Sequence, residues 1–189
     1  MAMPHSRGLA AHAALDHLES FASGSAASVR ARIPAASLAA IEHCPALDWI
    51  SIEHEHWITT ATFEHFGADA TGFFRDVVVR RLAETPLLRP LMQQARRLFG
   101  IDPGTYLRIS PRAFGLMFRG FGELAMVERG PHHAVLELSS CHPLVFEYPG
   151  YVPSWTGAMA ATLDFAMARG TATCELDRAG SSARYTVRW

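Results

Sequence analysis

"GELAMVERGPHHAVLELSS", Gly122 to Ser140, decides how this chain folds, because the hydrophobic period changes here. Two short runs, Glu123–Glu128 and Ala134–Leu138, alternate apolar with polar residues, as a strand with one buried face requires. Gly130-Pro131 lies between them, so the stretch reads as an antiparallel hairpin. Downstream, "YVPSWTGAMAATLDFAMARG" returns to the helical period, predicting a helix over about Pro153–Ala168 that stops at Gly170. "TATCELDRAGSSARYTVRW" makes a second hairpin, Thr171–Leu176 and Arg184–Arg188, turning at "DRAGSS". The order is β-β-α-β-β. Two hairpins joined by a helix most simply form one four-stranded antiparallel sheet with helices covering a face.

Upstream, the chain is helical. Leu9–Phe21 suits an amphipathic helix, "SGSAAS" (Ser23–Ser28) a linker or turn, and Pro34–His43 a short helix opened by proline. Asp69–Glu84 and Pro86–Phe99 read as two helices broken at Thr85-Pro86, with Gly100 closing the second. A short helix follows at about Pro103–Ile109. Another opens on Ser110 and Pro111 and stops at Gly120. The expected class is α+β: a helical N-terminal half followed by the four-stranded antiparallel sheet packed against helices. Residues 1–30 read as an N-terminal helical extension and 31–189 as a single α+β domain.

The 189 residues carry a net charge of −1. A nucleic-acid partner is not expected without a basic stripe. All 17 basic residues are arginine, so lysine Schiff-base chemistry is excluded. Cys44, Cys141 and Cys174 are odd in number and widely spaced, which suits thiols in a reducing cytoplasm. No signal peptide stands out, and no apolar run approaches the ~18 residues that span a bilayer.

"SIEHEHWITTATFEHF", Ser51–Phe66, gathers three histidines and three glutamates. Ser51 is a suitable N-cap, and Glu53 and Glu55 sit in the first turn, where the helix dipole favours acids. His54 and His65 share a stripe but lie about 16 Å apart along the axis, too far to ligate one metal. Glu53 and His56, at i and i+3, suit a surface contact. The segment reads as a capped helix, and no metal site or catalytic residue is assigned. His132 and His133 read as a solvated turn.

The region from Phe114 through "YVPSWTGAMAATLDFAMARG" to "YTVRW" resembles the superfamily joining haem nitric-oxide/oxygen-binding domains, 4-vinyl-reductase domains and TRAPP vesicle-tethering subunits. The shared pattern is a helical first part, a helix ending near a glycine and a hairpin. A long helix opening near Gly150 and Gly157 and a last apolar-aromatic hairpin complete it. "LDWISIE", "TPLLRPLMQQARRLFGIDPGTYLRISPRAFGLMFRGFGEL" and "YTVRW" more closely resemble a myxobacterial paralogous family, over about Ala31–Trp189. The resemblance implies a sensory or protein-interaction domain rather than an enzyme. In haem-binding relatives a histidine precedes the sheet and a Tyr-x-Ser-x-Arg motif grips the propionates. Here no histidine occurs between Phe66 and Pro131, and "LSSCH" (Leu138–His142) matches only at Ser140. A haem of that type is therefore not expected, nor any other cofactor, but an apolar small molecule between helices and sheet is admitted. Phe114, Met117, Phe118, Trp155, Met159 and His65 are the candidate pocket residues. Exposed helix residues admit a homodimer or a protein partner. The competing reading is a metal- or thiol-dependent enzyme using the histidine-rich segment or Cys141, His142 and Cys174.

Overall fold

The computed structural model describes residues 3–189. Its main sheet is antiparallel throughout, in the order β4 (Glu123–Arg129), β5 (His133–Ser139), β7 (Ser182–Arg188), β6 (Thr171–Asp177). The two hairpins join through β5 and β7, pairing Leu136 with Tyr185 and Leu138 with Ala183. Ala134, Leu136 and Leu138 of β5 alternate in register with Ala183, Tyr185 and Val187 of β7, and all six are buried. Fully burying a leucine contributes roughly 1.5–3 kcal/mol, which pins this register, since a one-residue slip would turn the apolar set to solvent.

Helix α9 (Tyr151–Phe165) crosses between the hairpins and covers the sheet. The Tyr185 hydroxyl donates to the Val152 carbonyl at 3.0 Å, tying helix to sheet. Gly150 opens α9 with φ +84°, and a Cβ there would stand 2.8 Å from the Phe63 ring. Both the left-handed backbone and the space demand glycine. At Gly157 the reason is packing: a Cβ would lie 2.6 Å from the Thr71 carbonyl oxygen. That close approach seats α9 on α5 (Ala70–Val77), and Arg75 clamps Asp164 through two hydrogen bonds of 2.6 Å.

The remaining helices are α1 (Gly8–Phe21), α2 (Ser25–Arg30), α3 (Ala35–His43), α4 (Ile52–Phe66), α6 (Arg89–Phe99), α7 (Pro103–Met117) and the single turn α8 (Leu144–Glu147). Helices α1 to α5 enclose a helical core that includes Leu15, Leu18, Ile41, Ile58 and Phe73. A second core, between sheet, α7 and α9, holds Leu107, Phe121, Leu136, Tyr151 and Tyr185.

Four local expectations are corrected. "SGSAAS" is a turn only at Ser23-Gly24 and is no linker beyond: Ser25 begins α2, whose buried Ser25 donates to the Leu18 carbonyl at 2.6 Å and whose Val29 enters the helical core. The helices expected on either side of Ser110-Pro111 are one helix, α7, with Pro111 inside it. Asp102 caps its start, accepting from the Thr105 amide at 3.1 Å, and Ser110 Oγ donates back to the Tyr106 carbonyl at 3.0 Å. Packing of α7 against α6, α9 and β4 outweighs the local break signal. The helix expected to run from Asp69 to Glu84 leaves α-geometry at Val77, continues as a π-helical turn over Val78–Leu82, and is followed by α6 starting at Arg89. Finally, a small sheet joins β1 (His5–Arg7) to β2 (Trp49–Ser51) and β3 (Phe118–Arg119). Strands of two or three residues are too short to show a period.

Candidate functional site

Where the helical core meets the sheet core, the packing opens into a cavity of ≈ 180 Å³. Its wall draws on α1, α4, α5 with its π-helical turn, α6, α7, β3, β4 and α9. Phe114 and Met117 reach it from α7, Phe118 from β3, and Trp155 and Met159 from α9. The structure thus brings five of the six expected residues to one wall. Phe114 and Phe118 lie 5.2 Å and 5.1 Å from Trp155, ring centre to ring centre. His65 is not in that wall; its ring packs edge-on against its neighbour Phe66 at 4.6 Å, near the far end of α4.

The histidine-rich segment contributes a different residue. Ser51 caps α4, accepting from the Glu53 amide at 3.3 Å, as its position implies. Its buried stripe runs through Ile52, Glu55, Thr59 and Thr62, so Glu55 points inward and is 7% exposed. Glu55 lines the cavity, and the Tyr151 hydroxyl, itself buried, donates to its Oε2. Burial pushes the Glu55 carboxyl up to about 7, the Tyr151 hydrogen bond opposing part of the rise. Burial, then the neighbouring carboxyl, pushes the Tyr151 hydroxyl well above its ordinary range. Reading Glu55 as a first-turn acid missed this, because the dipole argument is indifferent to which face of the turn is buried. The i, i+4 spacing of Glu55 to Thr59 was the available signal.

His56 is also turned inward rather than toward Glu53. It stacks on Tyr148, the rings 3.5 Å apart and 4° from parallel, and burial lowers its pKa to about 4. A neutral imidazole there is a packing group. His54 pairs with the Ser37 hydroxyl at 3.2 Å, and His133 with Glu128 at 2.8 Å on the sheet's open face.

Among the described residues, no hydrogen bond joins Cys141, His142 and Cys174 to one another, although both thiols lie near Tyr185. His142 Nδ1 accepts from the Leu144 amide at 3.3 Å, and Cys141 Sγ lies 3.8 Å from the Ser139 carbonyl. Cys174 sits opposite Tyr185 in the β6–β7 register. Burial pushes both Cys141 and Cys174 up to about 11, leaving neither a nucleophilic thiolate near neutral pH. Among the described residues, no group of three or more His, Cys, Asp or Glu side chains gathers in a metal-binding arrangement. Among them, too, no helix is long and apolar enough to cross a membrane.

No protein-family model matches the chain, and no curated protein matches it. Solved structures do. The Fe(II) unliganded H-NOX protein from K. algicida superposes with a TM-score of 0.60 at 8% identity, over 96% of this chain and 95% of that one. An oxygen-binding H-NOX domain related to soluble guanylate cyclases, in its oxygen complex, gives 0.55 at 13% identity, over 96% and 93%. A structure from work on heme distortion in the H-NOX family gives 0.56 at 13% identity over the same shares.

These neighbours correct one expectation. The histidine-free stretch from Phe66 to Pro131 and the incomplete Tyr-x-Ser-x-Arg match argue from sequence against haem, yet the chain shares its fold with Fe(II) and heme-bearing H-NOX proteins across nearly its whole length. Absence of a motif therefore does not decide the cofactor. Haem iron is held in proteins by histidine, cysteine, methionine or tyrosine. Among the described residues, the cavity wall offers Tyr106, Tyr151, Met92, Met117 and Met159, but no histidine, cysteine or arginine. The tyrosines are the side chains there of a type that holds haem iron by itself, methionine serving beside histidine, and the wall does not fit a histidine-held haem. At these identities the likeness is one of architecture: along 96% of its length, this chain has the fold of the H-NOX domains.

Proposed function

We propose that this domain is a non-catalytic sensory or protein-interaction module that takes an apolar small molecule into the cavity between helices and sheet. The cavity itself carries the reading. Its ≈ 180 Å³ exceeds the roughly 150 Å³ that suffices to hold a benzene-sized guest. Phe114, Met117, Phe118, Trp155 and Met159 are the proposed contacts, and flexible thioethers beside rings adapt to a guest's shape. The oxygen complex of an H-NOX neighbour supports a sensory use of this fold. So does the wider resemblance to 4-vinyl-reductase, TRAPP and myxobacterial paralogous proteins. Because the wall is built from α1, α4 to α7, α9 and the sheet, a guest would stiffen both cores together.

Exposed Leu98 and Phe99 at the end of α6, with exposed Ile101 just beyond Gly100, support a homodimer or a protein partner. The unpaired thiols suit a cytoplasmic setting. The metal- or thiol-dependent alternative has no comparable support, since no metal-binding group gathers among the described residues and its thiols are protonated.

The test is extraction and return. Apolar molecules extracted from protein purified without an affinity tag are identified by mass spectrometry and added back to delipidated, refolded protein. A specific guest raises Tm by about 5–10 °C at a hundredfold excess over Kd. No co-purifying molecule together with no shift overturns the reading.

A further inference from the structure

In a wall of aliphatic, aromatic, thioether and hydroxyl groups, one carboxyl is out of place. Among the described residues, Glu55 is the only Asp, Glu, Arg or His side chain lining the cavity. It is 7% exposed, and the Tyr151 hydroxyl is its hydrogen-bond partner, engaging Oε2. A carboxylate has roughly four acceptor positions, so one donor leaves it far from satisfied. Burying such a group is costly unless it is paired.

The surroundings indicate the missing partner. Tyr151 stands 5.7 Å from Trp155 and 5.8 Å from Phe121, and Trp155 in turn meets Phe114 and Phe118. A carboxyl bonded into a cluster of five aromatic rings supplies both parts of an organic-cation site: an opposite charge and electron-rich ring faces. The volume admits one ring with a short arm.

We propose that the cavity recognises a small arylalkylamine, its ring held among Phe114, Phe118 and Trp155 and its ammonium, on a short aliphatic arm, donating to Glu55. This rests on the cavity being a ligand site at all. Glu55 is a positioning and specificity residue of that site, and Tyr151 holds its carboxyl toward the rings.

The other titratable groups near Glu55 are few. Tyr151 of α9 bonds it, and Tyr106 of α7 lines the same cavity. His54 and His56 neighbour it on α4, the first paired with Ser37 and the second stacked on Tyr148. From α1 and α5 only Ala10, Ala14, Phe74 and Val77 face the cavity.

The test compares three probes of one size by NMR titration of the intact chain: toluene, benzyl alcohol and benzylamine. Benzylamine should bind at least about tenfold more tightly than toluene or benzyl alcohol near pH 8, and Glu55→Gln should abolish that preference, read as the ratio of the two affinities in the same protein. The preference in the parent protein should also fade as the pH falls to about 5.5, where Glu55 holds its proton, while toluene binding stays flat. That profile decides the matter without the variant should Glu55→Gln fail to fold. If toluene binds but benzylamine is no tighter, or its preference survives Glu55→Gln or is flat with pH, the amine assignment is overturned and the cavity reading stands. If none of the three probes binds, the cavity reading falls and takes this inference with it.

Discussion

Replacing Glu55 with glutamine should make the protein more stable at alkaline pH and leave it unchanged in acid. In the folded chain the carboxyl is buried and titrates near pH 7, against an ordinary value of 4.5. Between those two values the folded state keeps a proton that the unfolded chain has released. The contribution of the neutral carboxyl to stability is therefore complete below about pH 4.5 and is lost as the pH rises through 7. At about 1.4 kcal/mol per pKa unit, the loss by pH 8 is ~3 kcal/mol. Glutamine has nearly the same shape, offers an amide oxygen to the Tyr151 hydroxyl, and cannot ionise. The assay is urea unfolding of both proteins at pH 5, 6, 7 and 8, with free energies extrapolated to water and equal m-values required. Taking the difference at each pH removes titrations common to both, His56 among them. Glu55→Gln should exceed the parent by no more than ~1 kcal/mol at pH 5 and by ~3 kcal/mol at pH 8. A difference independent of pH, or a variant weaker at pH 8 than at pH 5 relative to the parent, would refute the reasoning. Glu55 would then ionise in the folded protein without penalty.

Three further outcomes follow from the packing. His56→Phe should keep the stack on Tyr148 but remove the acid sensitivity caused by a buried neutral imidazole. The parent should lose about 1–2 kcal/mol more than the variant as the pH falls from about 6.5 to about 4, read by unfolding at matched pH values. Gly157→Ala places a methyl group 2.6 Å from the Thr71 carbonyl oxygen and should destabilise by about 1–3 kcal/mol, visible as a drop in Tm. An unchanged Tm would mean that α5 and α9 can part freely. Asp164→Asn breaks a bidentate but partly exposed pair with Arg75 and should cost about 1 kcal/mol, with a coupling of similar size in a double-mutant cycle with Arg75→Gln.

Much of the fold was legible because it is written in local signals. The change of period at Gly122 and the turns at Gly130-Pro131 and "DRAGSS" placed both hairpins within a residue or two. Ser51 marked its helix by a capping bond that needs only its own neighbours. Of the candidate site, the cluster of Phe114, Met117, Phe118, Trp155 and Met159 could be named in advance, because they crowd two segments that must pack on one sheet. What those residues enclose could not. The open volume depends on how α1, α5 and α6 close the far side, and none of those helices announces its partner in its own sequence.

What the sequence by itself determined is therefore the two hairpins, most of the longer helices and the register logic of the main sheet, since hydrogen-bonding period, caps and turns act within a few residues. Pro111 and "SGSAAS" show where that local reading ends, as packing carried a helix through the first and built one on the second. Only the tertiary structure decided which face of α4 is inside. That choice moved Glu55 from a solvated first turn to the wall of a cavity and bonded it to Tyr151, 96 residues away. Burial and partnership are properties of the assembled core, and the chemistry of a carboxyl is set by both.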